Sequence, residues 1–137
     1  MGASNVAFVW CPGVGKPAGW DSYFPGVDGV DWIGIDGYVR DANPAAAGTA
    51  FTRVFGSFYE RFAAKGKPMM VAETGALPGS QSAYLASLPT VLPKAFPQVK
   101  ALVYFDAAGP RGDWSLQSDG LRALAGLAAN PYFSFHA

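Results

Sequence analysis

The sequence is poor in cysteine, histidine, glutamate and charge. One cysteine, Cys11, leaves no partner for an internal disulfide and excludes a cysteine-framework fold. One histidine, His136, stands beside the chain end, so a His/Cys metal site is excluded by count. Ten Lys+Arg balance ten Asp+Glu, which leaves no basic excess to grip phosphate backbones and excludes a dedicated nucleic-acid binder. No apolar run approaches the roughly 20 residues that a membrane helix needs, so no membrane partner is expected. No long polar stretch signals general disorder. No charged-then-apolar leader opens the chain, which leaves a secreted mature form and a cytoplasmic protein both open.

What remains is an apolar, aromatic, turn-rich chain of one domain's length, 137 residues. Hydrophobic residues make up 50% and aromatics 15%, with 17 glycines and 11 prolines. Glycine and proline together far exceed their usual share of roughly 12%. Such a composition fits loops of fixed shape that display rings. Charged residues are only 15%, against the roughly 25–35% expected of a free surface, so part of the surface is expected to face a partner.

Four strand-length apolar runs stand out: Asn5–Trp10, Val30–Asp36, Lys67–Glu73 and Val99–Asp106. Near-continuous apolar runs of this length read as strands of a parallel sheet. Three end in a carboxylate, Asp36, Glu73 or Asp106, which places these groups at C-terminal strand ends. Apolar spacing of three to four residues predicts a helix over Thr49–Lys65, with Thr49 as N-cap and Gly66 as stop. A second helix is expected over Ser80–Phe96, kinked or split by Pro89 and Pro93. A third runs over Ser118–Ala129. Pro12–Gly29 reads as a long ordered loop with one short helical turn. The runs start 25, 37 and 32 residues apart, close to the roughly 31 residues per unit of a (β/α)₈ barrel. The fold class is therefore α/β: four parallel β/α units, half of a TIM barrel, in a single domain over 1–137.

Several motifs invite chemistry. Gly13-Val-Gly-Lys-Pro-Ala18 matches a dinucleotide fingerprint with Asp36 downstream, but Pro17, Gly19, Pro25 and Gly26 remove the helix that would hold the pyrophosphate. Gly15-Lys16 lacks the remaining parts of a phosphate loop. Cys11 as a nucleophile would depend on His136, and a small packed residue is the plainer reading. Arg111-Gly-Asp113 is a three-residue match best read as a loop turn.

Glu73 is the strongest candidate. Of the two glutamates, Glu60 lies on a predicted helix as a solvent-facing charge, whereas Glu73 ends the apolar run Pro68–Ala72. A carboxylate there costs desolvation energy unless it is partnered, and barrel active sites are built at such strand ends. Capping the next helix or pairing with arginine is the competing role. Among the aromatics, Trp20, Tyr23 and Trp114 lie in Gly/Pro-rich loops and are candidates for stacking on sugar rings. Trp32 and Tyr104 read as packing residues.

In combination, Asn5–Trp10, Trp20–Gly26, Val30–Tyr38 and Gly66–Gly75 resemble glycoside hydrolase family 26, a family of β-mannanases and related β-glycanases on (β/α)₈ barrels. The run Val99–Asp106 and the ending Asn130–Phe133 resemble the last unit of such proteins. The resemblance maps the chain onto barrel strands five to eight. It implies a retaining glycosidase acting on β-linked polysaccharide, with Glu73 as nucleophile and Tyr38 able to hydrogen-bond it. Trp10 or Trp20 would line sugar subsites, and no cofactor is implied. The family's acid/base glutamate lies on strand four, in a His-Glu motif that this chain lacks. Three expectations follow. A homodimer could close the barrel and bring Asp106 of one copy to Glu73 of the other as acid/base. A complementary barrel half could supply the missing strands, and Met1–Ser4 fits a truncated start. A catalytically incomplete fragment could bind carbohydrate without cutting it.

Overall fold

A computed structural model describes residues 5–15 and 17–133. Met1–Ser4, Lys16 and His136, to which the sequence reading assigned roles, lie outside the described residues. One parallel sheet carries the molecule. Its strands are β1 (Val9–Trp10), β2 (Trp32–Val39), β3 (Met69–Ala76) and β4 (Val99–Tyr104), in spatial order β1-β2-β3-β4. Sequential parallel order is the winding of a barrel. A doubly wound dinucleotide sheet would reverse direction at a switch point. The architecture is α/β and resembles part of a TIM barrel.

The helices are a one-turn α1 (Trp20–Tyr23), then α2 (Ala47–Phe62), α3 (Pro78–Ala95) and α4 (Ser118–Ala128). Alternate strand residues explain where the core sits. Ile33, Ile35, Val39, Met69 and Val71 point at the helices and are buried. From α2, Phe51, Phe55, Phe58 and Phe62 meet them, and from α3, Tyr84, Leu85, Leu88 and Leu92. No helix among the described residues covers the other, concave face of the sheet. Val9 is 43% exposed on it and Val103 is 49% exposed. The sheet is thus closed on one side and open on the other, so the runs read as buried on both faces are half-covered here.

Element boundaries depart from the sequence reading in four places. Strand β1 pairs over two residues only, Val9 with Trp32 and Trp10 with Ile33. It is a sheet edge, and Val6 and Phe8 remain exposed. Strands β2 and β3 run three residues past Asp36 and Glu73. The carboxylates therefore do not end these strands: they point to the open face, where a charge keeps contact with water while the strand continues. Helix α2 starts at Ala47 on a 3₁₀ turn, Pro44–Ala46, whose entry is capped by the Asn43 side chain accepting from Ala45 N at 3.0 Å. Thr49 sits inside the first turn and donates back to Ala46 O. Gly66 does stop this segment, at φ 75°, a left-handed backbone that favours glycine. Helix α3 continues through Pro89 and Pro93. Each proline costs about 3 kcal/mol in a helix interior. Burying Tyr84, Leu85, Leu88 and Leu92 completely offsets this at about 1.5–3 kcal/mol per side chain.

The loop before β2 is ordered, as expected, by the 3₁₀ turns Pro17–Gly19 and Val27–Gly29 and by α1. Unforeseen was a small hairpin after β4, with β5 (Ala108–Gly109) pairing antiparallel to β6 (Gly112–Asp113). Arg111-Gly-Asp113 forms part of it, in line with its reading as a turn.

Candidate active site on the concave face

Three of the candidate residues, Glu73, Tyr38 and Trp114, gather with Asp36 at the C-terminal side of the open face. Asp36 on β2 pairs in register with Glu73 on β3, because an irregularity after Ile35 and Val71 skips Ala72 in the ladder. Both line a cavity of about 500 Å³, together with Tyr38, Arg40, Phe105, Arg111 and Trp114. Among the described residues nothing hydrogen-bonds or ion-pairs with the Glu73 carboxylate, so the helix-capping and arginine-pairing roles are not taken up. Asp36 is occupied: its Oδ1 accepts from the Cys11 thiol at 3.2 Å. Burial, the bond to Asp36 and the negative charges of Asp36 and Glu73 push the Cys11 pKa up to about 12. The thiol is therefore protonated at neutral pH and is no nucleophile.

The sequence Glu73-Thr74-Gly75 has a local logic. Thr74 points to the helices, and its hydroxyl is 3.2 Å from the buried Tyr84 hydroxyl. Gly75 points to the cavity beneath Trp114. A Cβ at Gly75 would stand 2.9 Å from Trp114 Cβ, so only glycine lets the indole settle there. Trp114 is 3% exposed, with its ring centroid 4.7 Å from that of Tyr38 and the Arg40 guanidinium 5.6 Å above it. The loop bearing it is pinned from behind by groups that the motif search did not select. Gln81 Nε2 donates to the Tyr104 hydroxyl at 2.9 Å and to Ser115 O at 3.1 Å, while Gln81 Oε1 accepts from Gln117 N at 2.8 Å. The Tyr104 hydroxyl donates to Trp114 O at 3.0 Å. Burial raises the Tyr104 pKa, so this hydroxyl keeps its proton. The signal available in the sequence was a glutamine among apolar helix positions, which buries only with partners.

The candidates separate into three groups. Glu73, Tyr38 and Trp114 share the cavity. Tyr38 packs against Trp114 and Phe105 and makes no hydrogen bond to Glu73 among the described residues. Trp10 and Trp20 form an aromatic cluster with α2. Trp10 lies 5.1 Å from Phe62 and 4.9 Å from Phe24, and Trp20 lies 5.1 Å from Phe58. For Trp10, covering the helix-side core replaces the expected role of lining a subsite. Trp20 is 6% exposed, is anchored by Nε1 donating to Gly13 O at 3.1 Å, and borders a second cavity. Tyr23, 78% exposed, lines that second cavity as well. Asp106 stands apart from both: it is exposed, two residues beyond β4, and its Oδ1 accepts from Leu116 N at 2.7 Å. Within one chain it is a loop-holding carboxylate and not a partner for Glu73.

Over 94% of the chain, the fold matches a GH26 β-mannanase from Bacteroides ovatus, with TM-score 0.56 and 17% identity. Over 89% it matches a Bacillus subtilis mannanase, with TM-score 0.52 and 22% identity. The fold is that of part of a GH26-like barrel. A GH128 endo-β-1,3-glucanase from Amycolatopsis mediterranei, solved with laminaripentaose, matches over 85% of the chain with TM-score 0.57 and 19% identity. In sequence, the chain is 27% identical over 124 residues, 85% of its length, to endoglucanase H of Acetivibrio thermocellus. No family model matches the sequence. The chain spans 38%, 31% and 56% of the three solved chains and 14% of the endoglucanase. The resemblance read from the strand motifs therefore has its counterpart in the fold.

Proposed function

We propose that this chain is the nucleophile-bearing part of a retaining glycoside hydrolase acting on β-linked polysaccharide. The observation that carries the reading is Glu73: a carboxylate with no partner among the described residues, facing a cavity at the C-terminal side of a barrel strand. Its oxygen attacks the anomeric carbon, and a second carboxyl group about 5–5.5 Å away protonates the leaving oxygen. Asp36 is a neighbour in register, but its Oδ1 is engaged in accepting a hydrogen bond from the Cys11 thiol at 3.2 Å and is not presented to a leaving group. The acid therefore comes from outside these four β/α units. Two features favour a complementary set of β/α units as the source: the two sheet edges at β1 and β4, and the exposed Val9 and Val103 on the concave face. The chain corresponds in this reading to strands five to eight. The β-mannanase and β-glucanase relatives support a β-linked glycan as substrate.

The test is reducing-sugar release from β-mannan, cellulose, xylan and β-1,3-glucan, with oligomeric state followed by light scattering. Wild type should be active once the barrel is complete, and Glu73→Ala should lose at least about a thousandfold. If a second copy supplies the acid, activity should track a dimer and Asp106→Asn should abolish it. Undiminished activity in Glu73→Ala would overturn the reading. Glycan binding without cleavage in every assembly would leave a carbohydrate-binding fragment.

A further inference from the structure

Beside the Glu73 cavity lies a second one of about 740 Å³, between the Pro12–Gly19 loop and the β5–β6 hairpin. The two share Gly13, Gly15 and Arg111, so they form one continuous cleft. Their chemistry differs. The first holds two carboxylates, Asp36 and Glu73; the lining of the second includes none among the described residues. Its one charged group there is Arg111. No ion pair engages this guanidinium among the described residues, although the Arg111 carbonyl is fixed by accepting from Arg40 Nη1 at 3.1 Å. The hairpin is thus held by its backbone while its cation is left for a ligand. Opposite the charge, the lining is apolar, with Pro12, Pro17 and the open ring of Tyr23.

We propose that this second cavity binds an acidic sugar unit, a hexuronate of the same glycan chain whose scissile bond lies at Glu73. A hexuronate has the two halves that the lining asks for. Its planar carboxylate matches the guanidinium fork of Arg111 with two parallel hydrogen bonds. Its ring carries C–H groups that lie on the Tyr23 face. A neutral hexose satisfies the ring and leaves the guanidinium unused. Arg111 is then a specificity-determining residue at the junction of the two cavities. This rests on the glycan reading above and adds which glycans the cleft prefers.

The test is calorimetric titration of the 137-residue chain with cellopentaose and mannopentaose. Each is compared with the same oligosaccharide carrying a single hexuronate, placed in turn at either end. The acidic form of at least one backbone should bind about tenfold more tightly at low salt, with the preference shrinking at high salt. Arg111→Ala should bring the acidic-to-neutral ratio to about one, and Arg111→Lys should restore part of it. Equal or weaker binding of every acidic form overturns the proposal and leaves the glycan reading standing. A preference that survives Arg111→Ala also overturns it. Absence of binding by all of them, with the chain folded by circular dichroism, overturns the proposal, and the glycan reading is then decided by reducing-sugar release from the completed barrel.

Discussion

The two faces of the sheet are built on opposite terms. The helix side holds a continuous aromatic and aliphatic core in which Phe51, Phe58, Phe62, Leu85 and Leu88 are at most 1% exposed. The concave side carries two carboxylates, a thiol, close-packed glycines and exposed valines. One strand serves both, because alternate residues answer to different surroundings. Stability is therefore concentrated on one side and chemistry on the other, so substitutions on the two sides should read out in different measurements.

The largest contrast is core truncation. Leu88→Ala should cost about 2–5 kcal/mol in urea unfolding, because a fully buried side chain leaves a cavity. Val103→Ala, half-exposed on the open face, should stay within about 0.5 kcal/mol in this chain alone. A large cost at Val103 would mean that the open face is covered in solution. Next is Gly75→Val, which drives side-chain atoms into Trp114. It should shift tryptophan fluorescence and weaken glycan binding while far-ultraviolet circular dichroism holds. An unchanged emission spectrum would show that Trp114 is not seated on Gly75. Gln81→Leu removes the bonds to Tyr104, Ser115 and Gln117 and takes the side-chain acceptor from Gln117 N, at about 1–3 kcal/mol, with faster hydrogen exchange at Gln117.

The smallest effect near neutral pH is a pH dependence, which sets in only above about 9. The Cys11 thiol holds its proton to about 12 in the folded chain, against 9.0 as its ordinary value. Between these values the folded state binds one proton more than the unfolded state, so stability falls as pH rises from about 9 towards 12. Cys11→Ala should flatten that decline. Asp36→Asn removes a bond and a charge that hold the proton on, so thiolate absorbance should then rise at lower pH.

Much of this was legible in the sequence. Apolar runs and their spacing gave parallel strands, helix positions within a few residues, and a barrel-type order. Glu73 stood out because a lone glutamate followed an apolar run. Three things were hidden. Strand ends were misjudged because Asp36 and Glu73 read as terminators, when a strand with one open face carries charge mid-length. The family resemblance has Trp10 or Trp20 lining sugar subsites, and Trp20 does border the second cavity, but a resemblance does not report that both rings pack against α2. Their partners on α2, Phe58 and Phe62, come from nearly 40 residues or more further along the chain. The Gln81 network links α3, β4 and the loop after β6, and no local pattern encodes that meeting.

Strand β1 pairs over only two residues, but the loop wall that follows it is held to β2 by Val14 N donating to Asp36 O at 2.9 Å and Asp36 N donating to Pro12 O at 3.1 Å, and to α1 by the Trp20 indole on Gly13 O; the opposite wall is tied down through Gln81 and Tyr104. The cleft is a vice with both jaws fixed. Its width is set by the fold, so a ligand must fit the opening and does not set it.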